Sequence, residues 1–266
     1  MLRRLLRALR PPLRPPSPPV APPALAPAPL PAPWTLRDEG LAAVVDTDFD
    51  VDFADGGGLV ALHPGVYAGR VLGEVWCRRM AREVRAYEAA LRAGARAVEP
   101  PNSMHQYGIP LEAMGLGGLG MALFHGPLWE RSRALLPGVS GALHRVTGFV
   151  VRYGEGGDLD LGQHVDDADA TLSLCLEGDA EGSEVIFEGL RCGLHLDHPL
   201  RPGERFAYAH RPGQAVLHSG KHRHRVAPIR RGTRLGLILW ARALASRERF
   251  EAAAAAGHCP AWCGLA

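Results

Sequence analysis

His164 and Asp166 stand two residues apart in Gly162-Gln-His-Val-Asp166, and His224 follows sixty residues later in Gly220-Lys-His-Arg-His-Arg-Val-Ala-Pro-Ile229. In a strand, residues i and i+2 point to the same side, so one strand end can offer an imidazole and a carboxylate to the same ion. A distant second imidazole completes a 2-His-1-carboxylate set, which grips Fe(II) on one face and leaves the other positions open. His218 and His222 lie in the same segment and compete for the distal place. His224 is preferred because Val226, Pro228 and Ile229 follow it and because Arg234 lies ten residues on, at the head of Leu235-Gly-Leu-Ile-Leu-Trp240. Arginine seldom enters a core unless paired, so a guanidinium in this position suits the carboxylate of a small dicarboxylate ligand. Tyr153 closes an apolar run before a glycine-rich turn; it is either a core aromatic or a second donor to that carboxylate.

These side chains need a rigid β scaffold. Short β-type runs broken by Gly, Pro and Asp occupy 145–153, 171–176, 184–188, 205–210, 214–218, 223–229 and 234–242. Their spacing predicts a sandwich or barrel, with an eight-stranded double sheet (a jelly roll) as the best fit. Lys221, Arg223 and Arg225 read as a solvated basic loop. Upstream, 41–53 reads as a strand or two. Pro64 marks a helix start, and apolar residues from Leu72 to Leu91 recur at helical spacing until Gly94. Residues 99–126 read as a glycine-rich flexible loop. Within it Gly115-Leu-Gly-Gly-Leu-Gly120 formally matches G-x-G-x-x-G, but Pro110-Leu-Glu-Ala-Met precedes it where a dinucleotide site needs a strand, so that reading is rejected. A second helix is expected over 127–136 and a last one over Ala241–Ala256.

The organisation that follows is a basic, then Pro/Ala-rich segment at 1–33, a helical support region at 34–144, a catalytic core at 145–243, and a C-terminal helix with a cysteine-containing tail at 244–266. Prolines across 11–33 remove backbone donors and favour extended chain. The leader is Arg-rich and free of acid, as an organelle transit peptide is, and the alternative is a disordered basic tail. All six arginines before Asp38 lie in a stretch without acid, so a net charge of +2 leaves the rest mildly acidic. That argues against a general nucleic-acid surface. No apolar run reaches the ~18 residues of a membrane span. Five scattered cysteines indicate reduced thiols and an intracellular or organellar setting. Cys259 and Cys263, four apart, make half a zinc site and are assigned a structural role.

His164-x-Asp166 with His224-x-Val-x-Pro-Ile-x-x-Gly-x-Arg234 resembles the 2-oxoglutarate/Fe(II) dioxygenases of the prolyl-4-hydroxylase-like branch. Glu99-Pro-Pro-Asn-Ser-Met-His-Gln-Tyr-Gly108, Phe149–Gly162 and Val216-Leu-His-Ser-Gly220 narrow the resemblance to the 2-oxoglutarate and iron-dependent oxygenase domain-containing protein 2 group. It covers roughly 60–263; Asp167 stands where an Asn is expected, and 1–50 does not align. The resemblance implies an α+β protein with a double-stranded β-helix (jelly roll) core and supporting N-terminal helices. It implies Fe(II) on His164, Asp166 and His224, 2-oxoglutarate held by Arg234 and Tyr153, O2 as the oxidant and L-ascorbate as reductant. The reaction implied couples oxidative decarboxylation of 2-oxoglutarate to succinate with hydroxylation of an unidentified substrate, such as a protein proline. Asn102, Ser103 and Tyr107 are candidates for a substrate-side wall, or for an ordered turn. The rival reading is a jelly roll that binds metal without turnover.

Overall fold

The computed structural model describes residues 34–37, 41, 58–94 and 96–266. The segment 1–33 and the strands expected over 41–53 lie outside these, apart from Leu41, which is buried. In chain order, Val60–His63 (β1) and Val66–Arg70 (β2) form a hairpin, followed by a helix at Glu74–Arg92 (α1). Next come Ile109–Pro110 (β3), a 3-10 turn at Leu111–Met114, and the helices Leu119–Phe124 (α2) and Pro127–Leu135 (α3). The strands Leu143–Gly154 (β4), Leu161–His164 (β5), Ala170–Gly178 (β6), Glu181–Gly182 (β7) and Val185–Leu190 (β8) follow. Arg205–Tyr208 (β9), Gln214–Ser219 (β10), His222–Val226 (β11), Ile229–Arg231 (β12) and Thr233–Ala243 (β13) lead to a final helix at Ser246–Ala255 (α4).

All seven expected strand runs are present in some form, and the sheets are antiparallel. One sheet runs β1-β2-β10-β6-β13-β4-β3, a second runs β5-β11-β8-β9, and β12 pairs with β7. The long strands of the first sheet are buried on both faces. On β6, Leu172 and Leu174 pack toward the helices while Thr171 and Ser173 face the other way. On β13, Leu235, Leu237 and Leu239 join the helix side, and Arg234, Ile238 and Trp240 take the opposite face. This period-two alternation sorts each strand into a structural side and a chemical side. Helix α1 covers the structural side with Trp76, Met80, Val84 and Tyr87, which recur every three or four residues as a helical stripe must. Each fully buried leucine of this layer contributes about 1.5–3 kcal/mol of transfer free energy. On the chemical side, Val151 and Tyr153 of β4 and Val216 of β10 pack with Leu161 of β5, Val185 and Phe187 of β8 and Val226 of β11, so the two sheets face each other.

Four expectations change. Pro64 does not open a helix: Pro64-Gly65, with Gly65 at φ 71°, makes the turn of the β1–β2 hairpin, whose β2 pairs with β10. Proline at a turn and proline at a helix start share the same φ, so sequence alone does not separate them. Residues 99–126 are not a loop throughout, because β3, the 3-10 turn and α2 lie within them. The G-x-G-x-x-G stretch links the end of the 3-10 turn to the first residues of α2, with no βαβ unit around it among the described residues. Helix α4 starts at Ser246, since 241–243 continue β13. The 221–225 segment is strand rather than solvated loop: Arg223 is buried, donating to the carbonyls of Glu188, Leu196 and His198.

Candidate active site

Strand register brings the sequence candidates together. His164 on β5 and His224 on β11 are directly opposed across an antiparallel pair, so both imidazoles rise from one face. Asp166, two residues beyond His164, joins that face, its backbone N–H donating to Gly220 O at 2.8 Å. The His164 Nε2 lies 3.4 Å and the His224 Nε2 3.8 Å from Asp166 Oδ1. The three ligand atoms lie within 4.8 Å of one another, and both imidazole-to-carboxylate separations fall inside the about 4 Å that two metal bonds of about 2 Å can span.

Neighbouring groups aim the donors. The Nδ1 of His164 meets Gly162 O at 2.8 Å and the Nδ1 of His224 meets His222 O at 2.9 Å. A carbonyl only accepts, so each Nδ1 carries the proton and each Nε2 presents a bare lone pair to the site. Thr171 donates its hydroxyl to Asp166 Oδ2 at 2.5 Å, leaving Oδ1 toward the imidazoles. Burial alone would raise the Asp166 pKa, but the His224 and His164 imidazoles outweigh it and hold the carboxyl well below the usual carboxylate range. Burial pushes His224 down to about 3, so its ring is neutral at ordinary pH. Burial also acts downward on His164, but the hydrogen bond and charge of Asp166 prevail and its pKa is raised. His224 is thus a neutral ligand and the carboxylate is ionised, while the proton that Asp166 favours on His164 is one a bound metal ion would displace.

Arg234 sits directly across the β13–β4 pair from Tyr153, its guanidinium 4.5 Å from the ring centroid. It is 3% exposed, and its Nε donates to Ser183 Oγ at 3.1 Å. Its Nη2 is buried without a partner, and among the described residues the only carboxylate acting on it, that of Glu184, does so at longer range than an ion pair. Arg234, Tyr153, Ser173, His164, Asp166 and His224 line one cavity.

Of the rival histidines, His218 lines this cavity with its ring 4.8 Å from that of His224, and its Nδ1 meets Ser219 O at 2.9 Å. His222 packs on Phe187, lines no part of the cavity, and leaves both ring nitrogens unpartnered. Neither belongs to the metal-competent cluster.

A neighbouring cleft of about 680 Å³ shares His105, His164 and Trp240 with the cavity and is walled by Asn102, Ser103, Phe149 and Arg242. Asn102 also orders the turn, its Oδ1 accepting from the Met104 and His105 backbone N–H groups at 2.9 Å each. Wall and turn are therefore one feature. Tyr107 is 58% exposed and lines neither space. His105 and Thr171 also line the cavity. His105 is buried, its Nδ1 faces Asn102 Oδ1 at 3.1 Å, and burial lowers its pKa to about 4. Thr171 carries no signal beyond strand alternation.

Two facing antiparallel sheets with a 2-His-1-carboxylate cluster between them define a class of mononuclear metal-site proteins. No family model matches the chain. Among characterised sequences, the 2-oxoglutarate and iron-dependent oxygenase domain-containing protein CP2 of Arabidopsis thaliana is 37% identical over 186 residues, covering 70% of this chain and 47% of that protein. The 2-oxoglutarate and iron-dependent oxygenase domain-containing protein 2 of Homo sapiens is 32% identical over 185 residues, covering 69% and 50%. This chain belongs to the 2-oxoglutarate- and iron-dependent oxygenase superfamily. It spans about half the length of the curated relatives it matches. A solved Pseudomonas putida prolyl-4-hydroxylase aligns with 76% of this chain and 98% of its own at 21% identity and a TM-score of 0.43, too loose to add to that assignment.

Proposed function

We propose that the chain is an Fe(II)- and 2-oxoglutarate-dependent dioxygenase with a jelly-roll core at 145–243, to which the β1–β2 hairpin adds an edge. The observation that carries the proposal is Arg234: a buried guanidinium with an unpartnered Nη2, in the same cavity as the His164/Asp166/His224 cluster. An uncompensated buried charge is costly unless a ligand supplies the counter-charge, and a metal site alone has no use for one. A ligand that reaches both the cluster and the arginine, with an anionic group at each end, has the chemistry of a 2-oxo dicarboxylate.

His164, Asp166 and His224 would hold the iron, whose bound form supplies the activation of O2 coupled to conversion of 2-oxoglutarate to succinate and CO2. The chain's own work is positional. The Gly162 and His222 carbonyls fix the imidazole tautomers, and Thr171 fixes the carboxylate. Arg234 sets the far end of the cosubstrate by a charge-assisted contact, with Tyr153 packed against its guanidinium. Val185, Val226, Leu161 and Ile238 supply the apolar part of the wall, beside the polar His105, Ser173 and His218. The cleft past Asn102 and Ser103 gives a substrate access to the His164 side, which supports a primary substrate larger than the cosubstrate.

The test is anaerobic titration of the Fe(II)-loaded chain with 2-oxoglutarate. A visible metal-to-ligand absorption band is expected for the wild type and is absent in Asp166→Ala. A wild-type chain that binds Fe(II) but develops no band contradicts the proposal and favours a metal-binding module without turnover.

A further inference from the structure

Cys259 and Cys263 supply only two thiols, four residues apart. Folding supplies the other two donors from a segment 67 residues earlier: Cys192 and His195, in the turn that follows β8. The Cys192 Sγ lies 3.9 Å from the Cys259 Sγ. The His195 Nδ1 lies 3.3 Å from Cys192 Sγ, 3.5 Å from Cys259 Sγ and 3.6 Å from Cys263 Sγ. All four donor atoms fall within 4.8 Å of one another. A tetrahedral ion with Zn–S bonds of about 2.3 Å and a Zn–N bond of about 2.0 Å has S···S edges of about 3.8 Å and S···N edges of about 3.5 Å. The observed separations match those edges. They do not match a disulfide, whose sulfurs are about 2.05 Å apart, and a disulfide would leave the third thiol and the imidazole without a role.

Local backbone holds the donors in two tight turns, each delivering a pair. The His195 N–H donates to Cys192 O at 3.0 Å, and the Cys263 N–H donates to Pro260 O at 2.9 Å. The turns dock by backbone: the Gly264 N–H donates to Leu190 O at 3.2 Å. Gly193 is required where helix α4 crosses, since a Cβ there would stand 2.6 Å from Ala254 Cβ. Next to Cys192, the fully buried Arg191 is neutralised by Glu204 through contacts of 2.9 and 2.7 Å. The β8 strand that ends here pairs with β11, which carries His224, and the Arg191 N–H donates to Lys221 O at 3.1 Å.

We propose that Cys192, His195, Cys259 and Cys263 form a closed tetrahedral Cys3His zinc site that fastens the C-terminal tail to the turn after β8. Four protein donors fill the coordination sphere, so the site is structural and has no open position for water or substrate. Binding releases the thiol protons to solvent, because the ligating form is the thiolate. The site is separate from the His164/Asp166/His224 cluster and shares no residue with it.

The test is the zinc content of the purified full chain, with the cobalt(II) spectrum as a second readout. About one zinc per chain is expected in the wild type and in Asp166→Ala, and its loss in Cys259→Ser/Cys263→Ser. Cobalt(II) substituted into the wild type is expected to give intense tetrahedral d–d bands and near-ultraviolet sulfur-to-cobalt charge transfer. His195→Cys, which keeps four soft donors, is expected to retain zinc and shift those bands toward an all-thiolate pattern. If the double serine variant does not fold, titration of wild-type thiols with a mercurial replaces it, with zinc release expected to track modification. Zinc-free wild type, zinc lost in Asp166→Ala but kept in the double serine variant, octahedral cobalt bands, or a Cys192–Cys259 disulfide in the mass map would each overturn the proposal.

Discussion

Replacing Arg234 by Met separates two roles that a deletion would confuse. In the protein without cosubstrate, the guanidinium is 3% exposed and its direct contacts are neutral, Ser183 Oγ at 3.1 Å and the Tyr153 ring at 4.5 Å, with the Glu184 carboxylate acting on it only at longer range. Exchanging a buried ion pair for apolar side chains of similar volume is often neutral or stabilising by about 1–4 kcal/mol, and a charge without a pairing partner carries the desolvation cost with less return. At roughly 2–4 °C per kcal/mol for a domain of this size, the melting temperature of Arg234→Met should hold or rise by several degrees. Removing one partner of a buried charge pair in a complex costs about 2–5 kcal/mol, so 2-oxoglutarate should bind on the order of 30- to 4000-fold more weakly. Saturating 2-oxoglutarate with Mn(II) as an inert metal should therefore raise the wild-type melting temperature and leave the variant unmoved. Calorimetric titration of the same samples gives the affinity ratio. Wild-type affinity in Arg234→Met, or a melting temperature that falls by several degrees without ligand, would refute the assignment of Arg234 as the carboxylate anchor.

Three further outcomes follow from named contacts. Thr171→Val removes the donor to Asp166 Oδ2 while keeping volume, and should weaken Mn(II) binding about 10- to 100-fold without changing secondary structure, as read by metal titration and circular dichroism. Glu204→Gln strips the counter-charge from the buried Arg191. The loss should lie near the low end of the buried-pair range, about 3 kcal/mol in urea unfolding, because the Glu204 side chain keeps 16% of its surface in solvent. Burial opposes ionisation of Glu204, but Arg191 prevails and its pKa is lowered, so the wild-type advantage is present above the unfolded carboxylate pKa and disappears as pH falls through the lower folded value. Leu237→Ala, on the helix side of β13, should cost about 2–5 kcal/mol in the same assay and leave metal affinity intact.

The chemical side of the sheet was legible because strand geometry converts spacing into direction. His164-x-Asp166 needed only a period of two to converge, and Arg234 was visible as a charge leading an apolar strand. His224 could be separated from His218 and His222 by its downstream residues, and the register against His164 gives the physical reason. What was not legible depends on long-range contact. Cys192 and His195 carry no mark that ties them to Cys259 and Cys263, so half of that cluster was visible and the other half was not. Arg223 looked solvated because nothing local reveals three carbonyls from distant segments closing on its guanidinium. The fixed φ of Pro64 serves a helix start and a hairpin turn alike, so its local sequence does not distinguish them. Nothing local marks His105 as a cavity residue, since its ring packs on Phe149, 44 residues away in sequence.

Turnover tests the central claim most directly: succinate formed from 2-oxoglutarate in air by the Fe(II)-loaded chain, measured beside Asp166→Ala and His224→Ala. Fe(II)-dependent succinate in the wild type, including uncoupled turnover without a primary substrate, with both variants at background, is the predicted result. Succinate formation that survives loss of Asp166, or that does not depend on iron, would contradict the account.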